Sequence, residues 1–372
     1  MRFSWLLAAT TTAGWAVAAV GQTAAIPLPD REEQLWQRVT VAARPVATTQ
    51  PYRAWLAAAR RQREELLDSV RLYQMLYPGG RYRQAALRSE LVARFELVTL
   101  GAGTFEEFRQ RIEQLAHGAA DPASRAEAAY WRLICRDDPT PVAPPDTGPL
   151  PELDEPLLSA CQSYVRDYPD SPYTPRLAEL LFDAAARRDD RNSMEGLVSL
   201  LRERFSSHVT TGRLEGRWRR YSAVGLPFWP ELPTVGGPPL TQADYLGHPV
   251  AIVVWAAFDE HSRGCVRSLE QLRRVRVELR VIGYSLDESR ENLAAACQEL
   301  EIDWPQCNDG MGWGGRFARH WGIDRLPVVF VLDRGGRLLG TAGADGWEAL
   351  VRQALRGGAA DMEDRVGPGD AR

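Results

Sequence analysis

Pro249-Val-Ala-Ile-Val-Val-Trp-Ala-Ala-Phe258 decides the reading of this chain. Nine of these ten residues are apolar and unbroken by charge, and Val, Ile and Trp favour the extended backbone. Such a run reads as a strand buried on both faces, which is a mark of parallel sheets covered by helices. The segments that follow keep this grammar. Ser262 to Val275 carries Leu269 and Leu272 at helical spacing. Leu279-Arg-Val-Ile-Gly-Tyr-Ser285 is a second buried strand, and Glu288 to Leu300 is a helix with Leu293, Ala296, Cys297 and Leu300 on one side. Phe317 to Gly322 closes a short helix. Pro327 to Asp333 is a third strand, paired with Arg337 to Thr341 across the turn at Asp333-Arg-Gly-Gly336, and Trp347 to Leu355 is a last helix. Strands alternating with helices and ending in a hairpin predict an α/β sandwich with a mixed sheet over residues 223–356.

Upstream, from about Asp30 to Tyr221, the pattern is helical throughout. Leu66, Leu67, Val70 and Tyr73 recur at three and four spacing, and no strand-like alternation interrupts it. An internal echo runs through it. Met75-Leu-Tyr-Pro-Gly-Gly-Arg-Tyr-Arg-Gln-Ala-Ala-Leu87 can be laid over Val165-Arg-Asp-Tyr-Pro-Asp-Ser-Pro-Tyr-Thr-Pro-Arg-Leu177, with Phe205-Ser206 as a degraded third copy. In the first two an aromatic residue ends one helix, a proline breaks it and a polar turn leads into the next. Helical hairpins of this kind resemble tetratricopeptide-type arrays, whose repeats stack to bury a continuous core and bind other proteins. The six prolines of the 137–152 stretch exclude a helix there and predict a loop. It separates Cys135 from Cys161, which two antiparallel helices could bring together as a disulfide; two merely packed cysteines fit the sequence as well.

The termini differ from both regions. Arg2, the short apolar run Trp5 to Val20 and the small residues that follow read as a secretory signal over 1–25. The run is interrupted by Thr10, Thr11 and Thr12 and is too short to favour a permanent membrane span. The expectation is an exported protein, periplasmic or extracellular, with no stable membrane insertion after signal removal, in a compartment where disulfides persist. Residues 357–372, rich in glycine and polar groups, predict a disordered tail. The 372 residues carry a net charge of −4, so no basic face for nucleic acid is expected. All 45 basic side chains are arginine, which excludes Schiff-base lysine chemistry and a lysine-bearing phosphate loop. No histidine cluster with ligand spacing is present, so neither metal nor cofactor is expected.

Several words of the C-terminal third, in order, resemble the TlpA/ResA-like thiol-disulfide oxidoreductases of the thioredoxin superfamily. They are Gly225-Leu-Pro-Phe228; Tyr245-Leu-Gly-His-Pro-Val-Ala-Ile-Val-Val-Trp-Ala256; Asp303-Trp-Pro-Gln306 with Ala318-Arg-His-Trp-Gly-Ile323; and Leu326-Pro-Val-Val-Phe-Val-Leu-Asp-Arg-Gly-Gly336. The resemblance implies an all-α helical-repeat domain followed by a thioredoxin-like α/β sandwich (α + α/β), with Pro327 as the cis-proline. It also implies a redox pair directly after Trp255-Ala-Ala-Phe258. In that register Asp259 and Ser262 stand at the two cysteine positions, where neither can serve as the attacking or the resolving thiol. A second register aligns Ser262-Arg-Gly-Cys265 with the Thr/Ser-x-x-Cys of peroxiredoxins. Cys265 would then be a single reactive thiol in the first turn of its helix, supported by Ser262 and by Arg263 or Arg267. Three functions follow: a degenerate redoxin that binds protein partners through its groove and its helical domain, a single-thiol oxidoreductase or peroxidase using Cys265, and an envelope scaffold. Whether the chain is an enzyme is left open.

Overall fold

The computed structural model describes residues 31–44, 52–118, 121–135, 154–237 and 240–363. The signal segment 1–25, the proline-rich loop 137–152 and the end of the tail, 364–372, lie outside the described residues. The chain divides into two compact units, 1–177 and 178–372.

In the first unit the described residues form helices α1 (Arg31–Ala42), α2 (Tyr52–Leu76), α3 (Arg83–Thr99), α4 (Phe105–Gly118), α5 (Pro122–Ile134) and α6 (Glu155–Asp167), and α7 (Thr174–Arg187) begins there. Their start signals are local. Asp121 and Asp154 each accept a backbone N–H of their own first turn, and a proline follows each inside the helix. Val70, Tyr73, Ala86 and Leu97 join α1, α2 and α3 in one apolar cluster. Glu90 is buried on α3 but takes hydrogen bonds from Gln74, Arg94 and Arg111, which keep the charge satisfied. Cys135 and Cys161 are both buried free thiols, so the disulfide between them is not formed. Each is instead a small apolar filler of its helix interface, and burial pushes both thiols up to about 12.

The echo in the sequence has a physical counterpart. At the α2–α3 turn Tyr77 N–H donates to Tyr73 O, Gly80 N–H to Tyr77 O and Arg83 N–H to Gly80 O. At the α6–α7 turn Tyr168, Ser171 and Thr174 make the same three bonds with Tyr164, Tyr168 and Ser171. The sequence at Phe205 repeats them once more, through Phe205, His208 and Thr211. Thr174 and Thr211 even send their hydroxyls to the equivalent carbonyls, of Tyr168 at 2.7 Å and of Phe205 at 2.6 Å.

The second unit holds the rest of α7, then α8 (Arg191–Arg204) and α9 (Val209–Ser222), followed by β1 (Val250–Trp255), α10 (Glu260–Val275), β2 (Arg280–Ser285) and α11 (Arg290–Glu299). After these come β3 (Gln306–Cys307), α12 (Arg316–His320), β4 (Val328–Leu332), β5 (Leu338–Ala342) and α13 (Trp347–Glu363). The sheet order is β3-β2-β1-β4-β5. β1, β2 and β3 are parallel, and β4 and β5 run antiparallel to their neighbours. Alternation along β1 sends Val250, Ile252 and Val254 to one face with Tyr284, Phe317 and Phe330. It sends Ala251, Val253 and Trp255 to the other, against Val266 and Leu269 of α10 and Val351 of α13. This is the mixed α/β sandwich expected of residues 223–356. One strand was not foreseen: two-residue β3 is too short to leave a periodic signal. The last helix also continues past Leu355, its backbone helical to Glu363 where residues 357–372 read as disordered.

The first compact unit ends at 177, so the second begins within α7 and takes in α8 and α9 as well as the sheet. α9 belongs with the sheet because Gly216 and Gly322 let two backbones meet. A Cβ on Gly322, whose φ is +57°, would stand 2.5 Å from Arg213 O and 2.7 Å from Arg217 N. Arg220 reaches Gly322 O at 3.1 Å and Arg219 donates to His320 O. Arg213 and Arg217 tie α9 back to Glu179 and Asp183 on α7. Residues 225–235 lie along both sides of the sheet. Gly225 N and Leu226 O bond Leu338 of β5, while Val235 N bonds Gln306 O and Pro233 O accepts from Asn308 N.

Candidate functional site

The carboxyl ends of β1, β2 and β3 and the amino end of β4 share one side of the sheet, where α/β folds gather ligands. The turn leaving β1 is built by its own residues. Asp259 is the N-cap of α10, its carboxylate accepting Ser262 N–H at 2.8 Å. Ser262 is 0 % exposed. Its Oγ accepts Ala256 N–H at 3.2 Å and has Ala256 O at 3.1 Å and Asp259 O at 2.9 Å as acceptors for its own proton. The two residues therefore close the turn onto the helix start. Continuing the β1–β4 register one step beyond Val254 and Val328 sets Pro327 opposite Trp255. The Leu326–Pro327 bond is cis and Pro327 is buried.

Beneath this turn lies a polar network the sequence reading missed. Ala257 N–H donates to both oxygens of Asp287, at 3.1 and 2.9 Å. Ser285 Oγ donates to Asp287 Oδ2 at 2.8 Å, and Asn308 Nδ2 donates to Asp287 O at 2.7 Å and Ser285 O at 3.2 Å. Trp255 Nε1 donates to Gln306 Oε1 at 3.1 Å, and Gly283 leaves the room that Gln306 occupies. One signal was available: Ser285-Leu286-Asp287 ends and leaves a buried parallel strand, where a polar residue sits at the sheet's functional end. Nothing in the sequence joined Asn308 or Gln306 to it.

Cys265 is not placed as the peroxidatic register requires. α10 begins at Glu260, so Cys265 lies in its second turn, beyond the reach of the helix dipole. Arg263 pairs with Glu260 and Glu299, and Arg267 with Glu260, so neither arginine supports the thiol. The Ser262 hydroxyl is used within the turn. Cys265 itself is packed with Trp255, Leu269 and Trp347, and burial, with Glu348 adding to it, pushes its thiol up to about 12. Cys307 is wholly buried on β3, and burial takes it to about 12 as well. Cys297 is half-buried at about 11, raised by burial and then by Asp287. Among the described residues no group of His, Cys, Asp and Glu side chains could hold a metal ion.

This side of the sheet exposes three large apolar side chains. Phe258 is 68 % exposed, Met311 63 % and Trp313 44 %. The loop of Met311 and Trp313 is held by Asp309, whose carboxylate accepts Met311 N–H at 3.0 Å and Arg316 N–H at 3.2 Å.

No protein-family model matches the chain, and no curated protein matches it. Solved structures similar to it include thiol-disulfide oxidoreductases, and the similarity covers about the last third of the chain. One, from Bacteroides fragilis, has 21 % identity and a TM-score of 0.30, covering 37 % of this chain and 98 % of that one. The thioredoxin domain of a thiol-disulfide oxidoreductase from Bacteroides vulgatus has 17 % identity and a TM-score of 0.30, covering 34 % and 91 %. A secreted disulfide oxidoreductase of Mycobacterium tuberculosis, described as homologous to E. coli DsbE, has 16 % identity and a TM-score of 0.29, covering 35 % and 96 %.

Proposed function

We propose that this is an exported, thioredoxin-like protein that binds other proteins and does not exchange disulfides with them. The observation that carries the reading is the turn after β1. Both positions at which a dithiol would stand are occupied by capping groups, Asp259 at the mouth and Ser262 fully buried behind it. Thiol exchange needs a reachable thiolate, and each of the five cysteine thiols is raised by burial. The repeated turns at Tyr77, Tyr168 and Phe205 support a tetratricopeptide-like role for the helical part as a second binding surface. Export is supported by the pattern of residues 1–25. No described helix is long and apolar enough to cross a membrane.

Purified protein given insulin and dithiothreitol, or hydrogen peroxide with a thiol donor, is expected to turn over at the rate of buffer alone. Counting thiols by mass spectrometry after alkylation of the denatured protein, with and without reductant, is expected to give five in both samples. Catalysed insulin reduction or peroxide consumption would end the reading.

A further inference from the structure

Resting on that reading, we infer that the binding surface has moved off the buried Ser262–Pro327 centre onto the loops after β1 and β3, and that it takes a partner segment carrying alternating apolar and basic side chains. Three observations bear this. First, the place where an extended segment would meet a dithiol is closed, because Ser262 and Pro327 are both buried. Second, the exposed apolar side chains at this end belong to two loops that abut one stretch of backbone. Leu286 N–H donates to Trp255 O at 2.8 Å and Ala257 N–H to Asp287, which fixes the Phe258 turn against residues 286–287. On the other side a Cβ at Gly312 would lie 3.4 Å from Leu286 O and 3.2 Å from Glu288 Cγ. Gly312 adopts φ +54° there, and its neighbours are Met311 and Trp313. With neighbouring strands about 4.8 Å apart, β1 and β3 stand about 10 Å apart across β2, a span of three or four extended residues. Phe258, Met311 and Trp313 thus place three large exposed apolar side chains at one end of the sheet.

Third, the charge there is one-sided. The loops 256–263, 286–291, 308–317, 324–328 and 343–348 hold nine carboxylates, one of them the buried Asp287, against four arginines. Arg263 pairs with Glu260 and Glu299, Arg316 with Glu231 and Arg325 with Asp324, and Glu260 also takes Arg267, which leaves the surplus on Asp309, Glu288, Glu291, Asp345 and Glu348. Glu288 and Glu291, beside the apolar loops, are exposed. An acidic rim around apolar side chains selects arginine or lysine interleaved with leucine-like residues and repels an acidic segment.

The test is fluorescence anisotropy on the full chain with two labelled nonapeptides, one alternating leucine with arginine and one alternating leucine with glutamate. The leucine–arginine peptide is expected to bind at least tenfold tighter and to weaken as salt rises. Phe258→Ser with Trp313→Ser, both at exposed positions, should reduce its affinity tenfold or more. Glu288→Arg should weaken it and strengthen the leucine–glutamate peptide. Equal binding of the two peptides, no binding of either, or variants that bind like the parent would each overturn the inference. Binding that ignores these variants would still leave a partner-binding protein, with its surface elsewhere. Disulfide exchange in the insulin assay would instead remove the reading on which the inference rests.

Discussion

Ser262→Ala tests whether the position is structural. The Ser262 Oγ accepts Ala256 N–H at 3.2 Å in a place closed to water, and alanine offers nothing in return. A buried donor left without an acceptor costs about 1–3 kcal/mol. Alanine recovers about 0.5 kcal/mol as the better helix former. The expected net loss is therefore about 1.5 kcal/mol, which for a unit of this size lowers Tm by about 3–6 °C. Because the chain has two units, hydrogen exchange of peptides spanning 250–265 is the decisive assay, with a chemical melt in support. Exchange should speed about tenfold at Ala256 and through the first turn of α10 while α2 and α3 are unchanged. Ser262→Cys, whose sulfur is a weaker acceptor of similar shape, should fall between the two. Protection equal to that of the parent in Ser262→Ala would refute the claim that this hydroxyl closes the turn.

Asp259→Ala removes the N-cap of α10 and should cost about 1 kcal/mol, with Asp259→Asn recovering most of it, as read from urea melts. Gly216→Ala should destabilise the second unit by about 2 kcal/mol or more, because the added methyl would meet backbone atoms of Gly322 that cannot rotate away; a parental melt would show that α9 is not held there. Alkylation by iodoacetamide at pH 7.5 should leave Cys265 and Cys307 unmodified for hours in the native protein. With thiols at about 12 the thiolate share is about one in 10^4 to 10^5, so rapid loss of Cys265 would contradict its packing. Glu90, held down to about 2 by Arg111, Gln74 and Arg94 against the opposing effect of burial, contributes stability that is present above the unfolded carboxylate value of about 4.3. That contribution fades as pH falls from there toward 2. Acid titration of Arg111→Leu should start to unfold the first unit at a higher pH than the parent.

The sandwich could be read from sequence because each of its long elements carries a period of its own. The unbroken run from Val250 to Trp255 and the Leu269–Leu272 spacing needed no tertiary information. β3 escaped because a two-residue strand exists only through its neighbours, Thr234 on one side and Tyr284 on the other. The same cause hid Asn308 and Gln306, whose roles depend on contacts made across twenty residues or more. Asp259 and Ser262 could be located from their distance to Trp255, but not the hydrogen bonds that make them a cap. Cys265 misled because its serine spacing is a local pattern, while its burial depends on Trp347, which is remote in sequence. The packing of α9 against the sheet was hidden for a similar reason. Two glycines 106 positions apart look like ordinary turn residues until their backbones touch.

Residues 225–235 have a consequence beyond covering apolar surface. With Leu338 on one flank and Gln306 on the other already bonded to this strap, a visiting chain finds no vacant ladder to extend there. Recruitment by adding a strand would first require peeling the strap away. At these two places a second copy of the chain cannot zip onto the sheet while the strap stays down.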